Sequence, residues 1–166
     1  MKMTQTPFYK TGTIVRKTSF RQFIANDLPV IVLCITGLAV AGLDGMALKN
    51  LLLWMSLFVA VCLGYRLAYM NRTVYLITSE QLIHEHGVFH RTRDYIELFR
   101  VVDFREESTF LQQLLGIKTV RIYSGARSTP YLDLVGISGD DGLIPCIRER
   151  VNWNKQKNGI YEITNR

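Results

Sequence analysis

The sequence predicts an α+β membrane protein: a two-helix transmembrane hairpin, then a small bent β-sheet or barrel closed by a C-terminal α-helix. Three observations carry that reading. The apolar excess of the 166-residue chain is concentrated between Leu28 and Met70, where only Asp44, Lys49 and Arg66 are charged. From Thr73 onward, apolar residues recur in short runs at strand spacing, broken by turn residues. Near the C-terminus the spacing turns helical, and Leu143, Ile144, Ile147 and Val151 share one stripe.

The hairpin comes first. Leu28–Leu43 is free of charge, and so is Leu51–Tyr65, which reaches Met70 if Arg66 is tolerated. A spanning helix needs roughly 20 apolar residues. The second segment attains that length because Arg66, near its end, can carry its charge to the headgroups on its own aliphatic stem. The first borrows Met46, Ala47 and Leu48, or the preceding FRQFIA. A turn begins at Asp44-Gly45. Neither segment has the polar stripe of a soluble helix. A cleaved signal peptide is excluded by the residues before the first run, by Pro29 near its start and by the second run that follows at once.

Charge sets the orientation. Lys2, Lys10, Arg16, Lys17 and Arg21 precede the first segment, Arg66 and Arg72 close the second, and one lysine lies between them. The positive-inside rule then places both termini in the cytoplasm. The net charge of +6 belongs to these flanks, since from residue 71 onward 13 basic residues face 12 acidic ones. A nucleic-acid binder would gather its positive charge on a folded face, so that class is excluded. Thr36 and Ser56 are the polar residues deep in the segments. Transporters need ionisable groups at depth, so the hairpin reads as an anchor.

In the domain that follows, TVYLIT, QLIHEH, VFHRTRDYIEL, RVVDFRE, TVRIYS and PYLDLVGI read as strands. STFLQQLLG reads as a short helix with Ser108 or Thr109 as its N-cap and Gly116 as its stop. Its Phe110, Leu111, Leu114 and Leu115 form one apolar face. DDGLIPCIRERVNWNKQ reads as the closing helix, capped by Asp140 or Asp141, with Pro145 in its first turn. GIYEI in the tail could add a strand. These charges nearly balance and the strands alternate, so the domain is expected to be soluble without the hairpin.

The pattern of residues 28–137 is similar to the bacterial pleckstrin-homology-like membrane proteins. The resemblance rests on Thr78, Leu82 and Gly87, on Ile96, Leu98 and Val101, and on Leu114, Leu115, Gly116, Thr119, Val120 and Ile122. Phe99 departs from it, standing where proline is more usual, and leaves the expected hairpin there in question. The resemblance implies a PH-like barrel capped by a C-terminal helix, tethered to a bacterial inner membrane, non-catalytic and acting as an interaction module. Phosphoinositide-binding PH domains place basic residues around their first hairpin. Here that hairpin is TSEQ, with Glu80 and no cation, so headgroup recognition of that type is not expected.

All three histidines, His84, His86 and His90, lie within LIHEHGVFHR. His84 and His86 point to one strand face, and H-x-H suits a metal ion. A third ligand is not evident, because Gly87 breaks the parity before His90 and no cysteine lies near. They read as solvated, half-exposed strand residues, with no metal and no cofactor. Lys17, Arg21, Arg91, Arg93, Arg121 and Arg127 are the candidate contacts for anionic headgroups or a partner. Cys34, Cys62 and Cys146 have no ligand or disulfide spacing. No nucleophile motif or nucleotide fingerprint is present.

The sequence thus divides into a basic cytoplasmic segment (1–27), a hairpin (28–70, with helices about 28–43 and 51–70), a PH-like cytoplasmic domain (71–157) and a tail (158–166). The expected function is that of a membrane-anchored interaction or scaffolding module binding a protein partner or its own copies. A sensor of anionic headgroups is the first alternative, and a metal-dependent site at His84 and His86 the second.

Overall fold

The computed structural model describes residues 12–43, 48–127, 129–139 and 142–160. The turn at Asp44-Gly45, the cap at Asp140 or Asp141 and most of GIYEI lie outside the described residues. Within them, the order is β1 (Ile14–Lys17), α1 (Phe20–Ala41), α2 (Lys49–Arg72), β2 (Val74–Ile77), β3 (Gln81–His86), β4 (Thr92–Glu97), β5 (Val101–Glu107), α3 (Phe110–Leu114), β6 (Ile117–Ser124), β7 (Tyr131–Ser138) and α4 (Leu143–Lys157). One antiparallel sheet runs β1-β2-β3-β4 and the other β5-β6-β7.

The first strand is a correction to the sequence reading. IVRK alternates half-buried and exposed residues and pairs antiparallel with β2, with Ile14 opposite Ile77 and Lys17 opposite Val74. The segment assigned to a basic arm outside the domain is therefore an edge strand of its sheet. Local pattern could not reveal this, because a four-residue strand is decided by its partner, and that partner lies beyond the whole hairpin.

The two long helices are each long and apolar enough to cross a bilayer. α1 begins at Phe20, well before the run at Leu28. Ser19 caps it by accepting from the Arg21 amide, which satisfies a donor that has no partner within the helix. Pro29 therefore lies inside the helix, where it removes one backbone bond. The helices meet closely at Gly37, where a Cβ would collide with Ser56 Oγ, and Cys34 Sγ lies 3.5 Å from the Ser56 carbonyl oxygen.

The interior of the domain is built from residues that alternation picks out. Leu82, Ile96, Leu98, Val101, Val120 and Ile122 are buried between the sheets, and α4 covers them with Leu143, Ile144, Ile147 and Val151. Between β4 and β5 the chain makes a single 3₁₀ turn, Leu98–Arg100. The expected hairpin is absent, because β4 and β5 belong to different sheets. Phe99 sits at that corner.

α4 also buries Arg150 and Asn154, which its apolar stripe does not announce. Arg150 donates to the Ile77 and Thr78 carbonyls at 2.9 and 2.8 Å and to Gly12 at 2.7 Å. Asn154 donates to Ser79 at 2.7 Å. These donors satisfy carbonyls at the end of β2 and ahead of β1, which would be costly to bury unpaired.

α3 is turned relative to its expected face. Thr109 forms a reciprocal cap with Gln112, and the Gln112 amide donates to Gln22 Oε1 at 2.8 Å and Thr119 Oγ1 at 3.0 Å. Gln112 is buried, whereas Phe110 and Leu114 are 78% and 74% exposed. Rotating the helix to bury them would strand a buried amide without partners, which costs more than leaving two apolar side chains at the surface.

The role of β1 leads to a direct expectation. A fragment of residues 73–160 lacks the strand that covers β2 and should aggregate. Joining residues 12–19 to residue 73 through a short Gly-Ser linker should restore a soluble, folded domain, since Lys17 and Val74 are already opposite one another. Gel filtration and amide dispersion in NMR spectra decide the matter; equal behaviour of the two fragments would make β1 dispensable.

Candidate functional site

The bases of α1 and α2 do not stand clear of the domain. β1 reaches α1 through Thr18 and Ser19 alone, and α2 reaches β2 through Thr73 alone. The Ser19 amide donates to the Gly136 carbonyl at 3.1 Å. Gly136 has φ 71°, and a Cβ there would lie 2.7 Å from Gln22 Cβ and 3.0 Å from Thr18 Cγ2. Glycine therefore lets β7 approach the start of α1.

Where the helices and both sheets meet, they border a half-open cavity of about 570 Å³. Phe23 and Asp27 of α1, Tyr65, Arg66 and Tyr69 of α2, Tyr75 and His84 of the first sheet, and Tyr131 and Asp133 of the second line it. Its walls combine aromatic rings with three carboxylates, from Asp27, Asp94 and Asp133. Asp27 is 2% exposed and pairs with Arg66. Arg66, expected to carry its charge outward, also pairs with a buried carboxylate on the neighbouring helix while its own side chain stays half exposed. Asp133 receives a two-pronged bond from Arg121, at 2.7 and 2.8 Å. That pairing holds the Arg121 guanidinium further into its charged range than usual.

Asp94 has no arginine among its described partners. In the β3–β4 register it stands opposite His84, and its Oδ2 lies 3.6 Å from His84 Nδ1 and 3.7 Å from His86 Nδ1. The two imidazoles stack at 4.6 Å, with Tyr75 stacked on His84 at 5.0 Å and Tyr69 tilted over His86 at 6.2 Å. All three side chains are partly buried. Burial, and then the neighbouring His86, hold the His84 imidazole below its ordinary pKa, against Asp94, which pulls it up. Burial also raises the Tyr75 phenol, whose oxygen accepts from the Val135 amide at 3.1 Å.

His84 and His86 thus share a face, as expected from strand geometry. His90 lies beyond the turn at Gly87, where φ is 109° and a Cβ would collide with the His90 carbonyl oxygen. Asp94 went unnoticed in the sequence because it joins the pair only through strand pairing. The available signal was the short connection from β3 to β4, which brings one TRDYIE residue opposite each histidine.

The six candidate cations do not converge. Arg91 and Arg93 flank Glu85, at 3.4 and 3.2 Å. Donating to the Glu85 carboxylate raises the Arg93 pKa. Arg21 donates to the Leu115 carbonyl at 3.1 Å, and Arg121 is held by Asp133. Lys17 is exposed on β1 and Arg127 is exposed in the β6–β7 connection. Four of the six already have partners on the domain itself, so no cationic basin forms from them.

The sequence model of a family described as Bacterial PH domain matches residues 24–141. The match spans the helical hairpin and the sheets through β7, and leaves out β1 and α4. No curated protein and no solved structure matches the chain.

The Asp27–Arg66 pair predicts an asymmetry. Arg66→Gln abandons a buried carboxylate and should cost about 3–5 kcal/mol. Asp27→Asn should cost less, because the Arg66 side chain is 56% exposed and can turn to water or headgroups. Unfolding in detergent should rank Arg66→Gln below the double variant. An Asp27→Asn protein as weak as Arg66→Gln would contradict this account.

Proposed function

The chain belongs to the bacterial PH domain family, and from that premise we propose that it is a membrane-anchored interaction module that binds a protein partner, its own copies included. PH-like domains are generally non-catalytic, and this one is read in the same way. The proposal places it in a bacterial inner membrane, with α1 and α2 crossing the bilayer and both termini in the cytoplasm.

The observation that carries the reading is how the helices leave the domain. Only 17% of the apolar window of α1 and 6% of that of α2 is buried. Leu33, Ile35, Phe58 and Val61 are all more than half exposed. Contiguous apolar surface on that scale calls for a lipid or protein environment. One- and two-residue connections to β2 and from β1 then leave the domain little freedom to swing. A rigidly oriented domain presents the same face to the cytoplasm at all times, which suits recognition of another protein at the membrane.

Phe110 and Leu114 support the protein reading. Two large apolar side chains are displayed by a helix whose buried side is polar, and Val102 on β5 is 67% exposed as well. Exposed aromatic and aliphatic anchors are the usual centre of a protein interface. The headgroup alternative is less well supported, because the candidate cations are dispersed and mostly engaged.

Two measurements test this. With the three native cysteines replaced, a cysteine at Lys49 should be labelled from outside intact cells, whereas cysteines at Gly12 and Gly159 should not. Labelling at the termini from outside would reverse the topology. A photo-crosslinking residue at Phe110 or Leu114 should capture protein in living cells, and substitution of both by serine should abolish the adduct. Crosslinks to lipid alone would replace the protein reading with the headgroup one.

A further inference from the structure

We propose that His84, His86 and Asp94 form a binding site for a divalent first-row transition metal ion of the zinc type. One ligand atom from each residue lies within 4.8 Å of the others. Two of the spacings, from Asp94 Oδ2 to the two Nδ1 atoms, are 3.6 and 3.7 Å. They are too long for hydrogen bonds, which need about 2.7–3.2 Å. They are close to the edge of a tetrahedron around an ion with ligands at about 2.0–2.2 Å, which is about 3.3–3.6 Å. The carboxylate and imidazoles are therefore spaced to share an ion more readily than a proton.

A second observation comes from His86. Its Nδ1 is shut off from solvent and has no hydrogen-bond partner. Buried polar atoms are almost always satisfied, and an exception calls for a missing partner. A cation between His86 and Asp94 supplies one. Two imidazole nitrogens and one carboxylate oxygen suit zinc, cobalt, nickel or copper better than calcium or magnesium, which prefer all-oxygen shells.

The surroundings favour a defined site. Both histidines are fixed on β3 and Asp94 on the paired strand, so the backbone ladder sets the spacing without a mobile loop. The Tyr75 and Tyr69 rings wall the imidazoles. His84 and Asp94 also line the cavity at the base of the helices. Three protein ligands with a remaining open position is the arrangement of a site that accepts a further ligand. Here that ligand would be a donor atom entering from the cavity. This inference does not depend on the identity of the protein partner.

The test uses the full chain, expressed without an affinity tag, stripped with chelator in detergent and titrated with Co²⁺. Saturation at one equivalent, visible ligand-field bands of a low-coordinate site and displacement by Zn²⁺ are expected. Asp94→Asn and His86→Gln should each weaken binding by more than the roughly 10–100-fold that loss of an outer hydrogen-bonding partner costs. His90→Gln should leave it unchanged within twofold. A readout on the wild type guards against variants that fail to fold. Zn²⁺ should protect His84 and His86, but not His90, from diethyl pyrocarbonate as mapped by mass spectrometry. Absence of saturable binding in the wild type, equal protection of all three histidines, or variants that bind like the wild type would each overturn the proposal.

Discussion

The pairing of β1 with β2 is the constraint on which the rest of the molecule depends. The two strands flank the helical hairpin, so their hydrogen bonds close the neck from which both helices emerge. An antiparallel pair fixes its partners to one register, because a slip of one residue turns every side chain to the wrong face. Burial of Ile77 and half-burial of Ile14, at the end of the ladder away from the helices, fix that register. The consequence reaches both ways. It sets where α1 begins and α2 ends, and it completes a sheet that would otherwise end at β2.

Around that neck the polar groups are arranged to satisfy one another. Strands that end beneath two helices leave carbonyls and amides at a depth where water is scarce, and each needs a partner. Gln112 joins α3 to Gln22 of α1 and Arg66 answers Asp27, while Arg150 answers carbonyls at the opposite end of β2. The Gln112–Gln22 bond explains why α3 shows its apolar side chains to the outside. The same logic makes His86 conspicuous, since its buried Nδ1 has no hydrogen-bond partner.

The junction also relates the helical hairpin to the domain physically. Tyr65, Arg66 and Tyr69 of α2 face the same cavity as His84, Asp94 and Asp133 of the sheets. A ligand in that space would touch the helix bases and both sheets at once. Tyr69 of α2 and Tyr75 of β2 lie against the histidines. Of the three carboxylates that line the space, Asp27 and Asp133 are already paired with arginines.

How much of this was legible beforehand follows from the range of each interaction. Periodicity is a local property, so the sequence by itself determined the two long apolar helices, most strands of the sheets, a cap for α3 at Ser108 or Thr109 and the buried stripe of α4 from Leu143 to Val151. Recognition of the family followed from the same core and turn positions. What only the tertiary structure decided are the contacts between residues distant in sequence. β1 is a strand because β2 lies beside it, and Phe110 is exposed because Gln112 finds Gln22. Arg66 pairs with Asp27 because the two helices bring them side by side, and Asp94 meets the histidines because β4 folds back on β3. Each depends on which group stands opposite, and one-dimensional patterns of polarity carry no information about that.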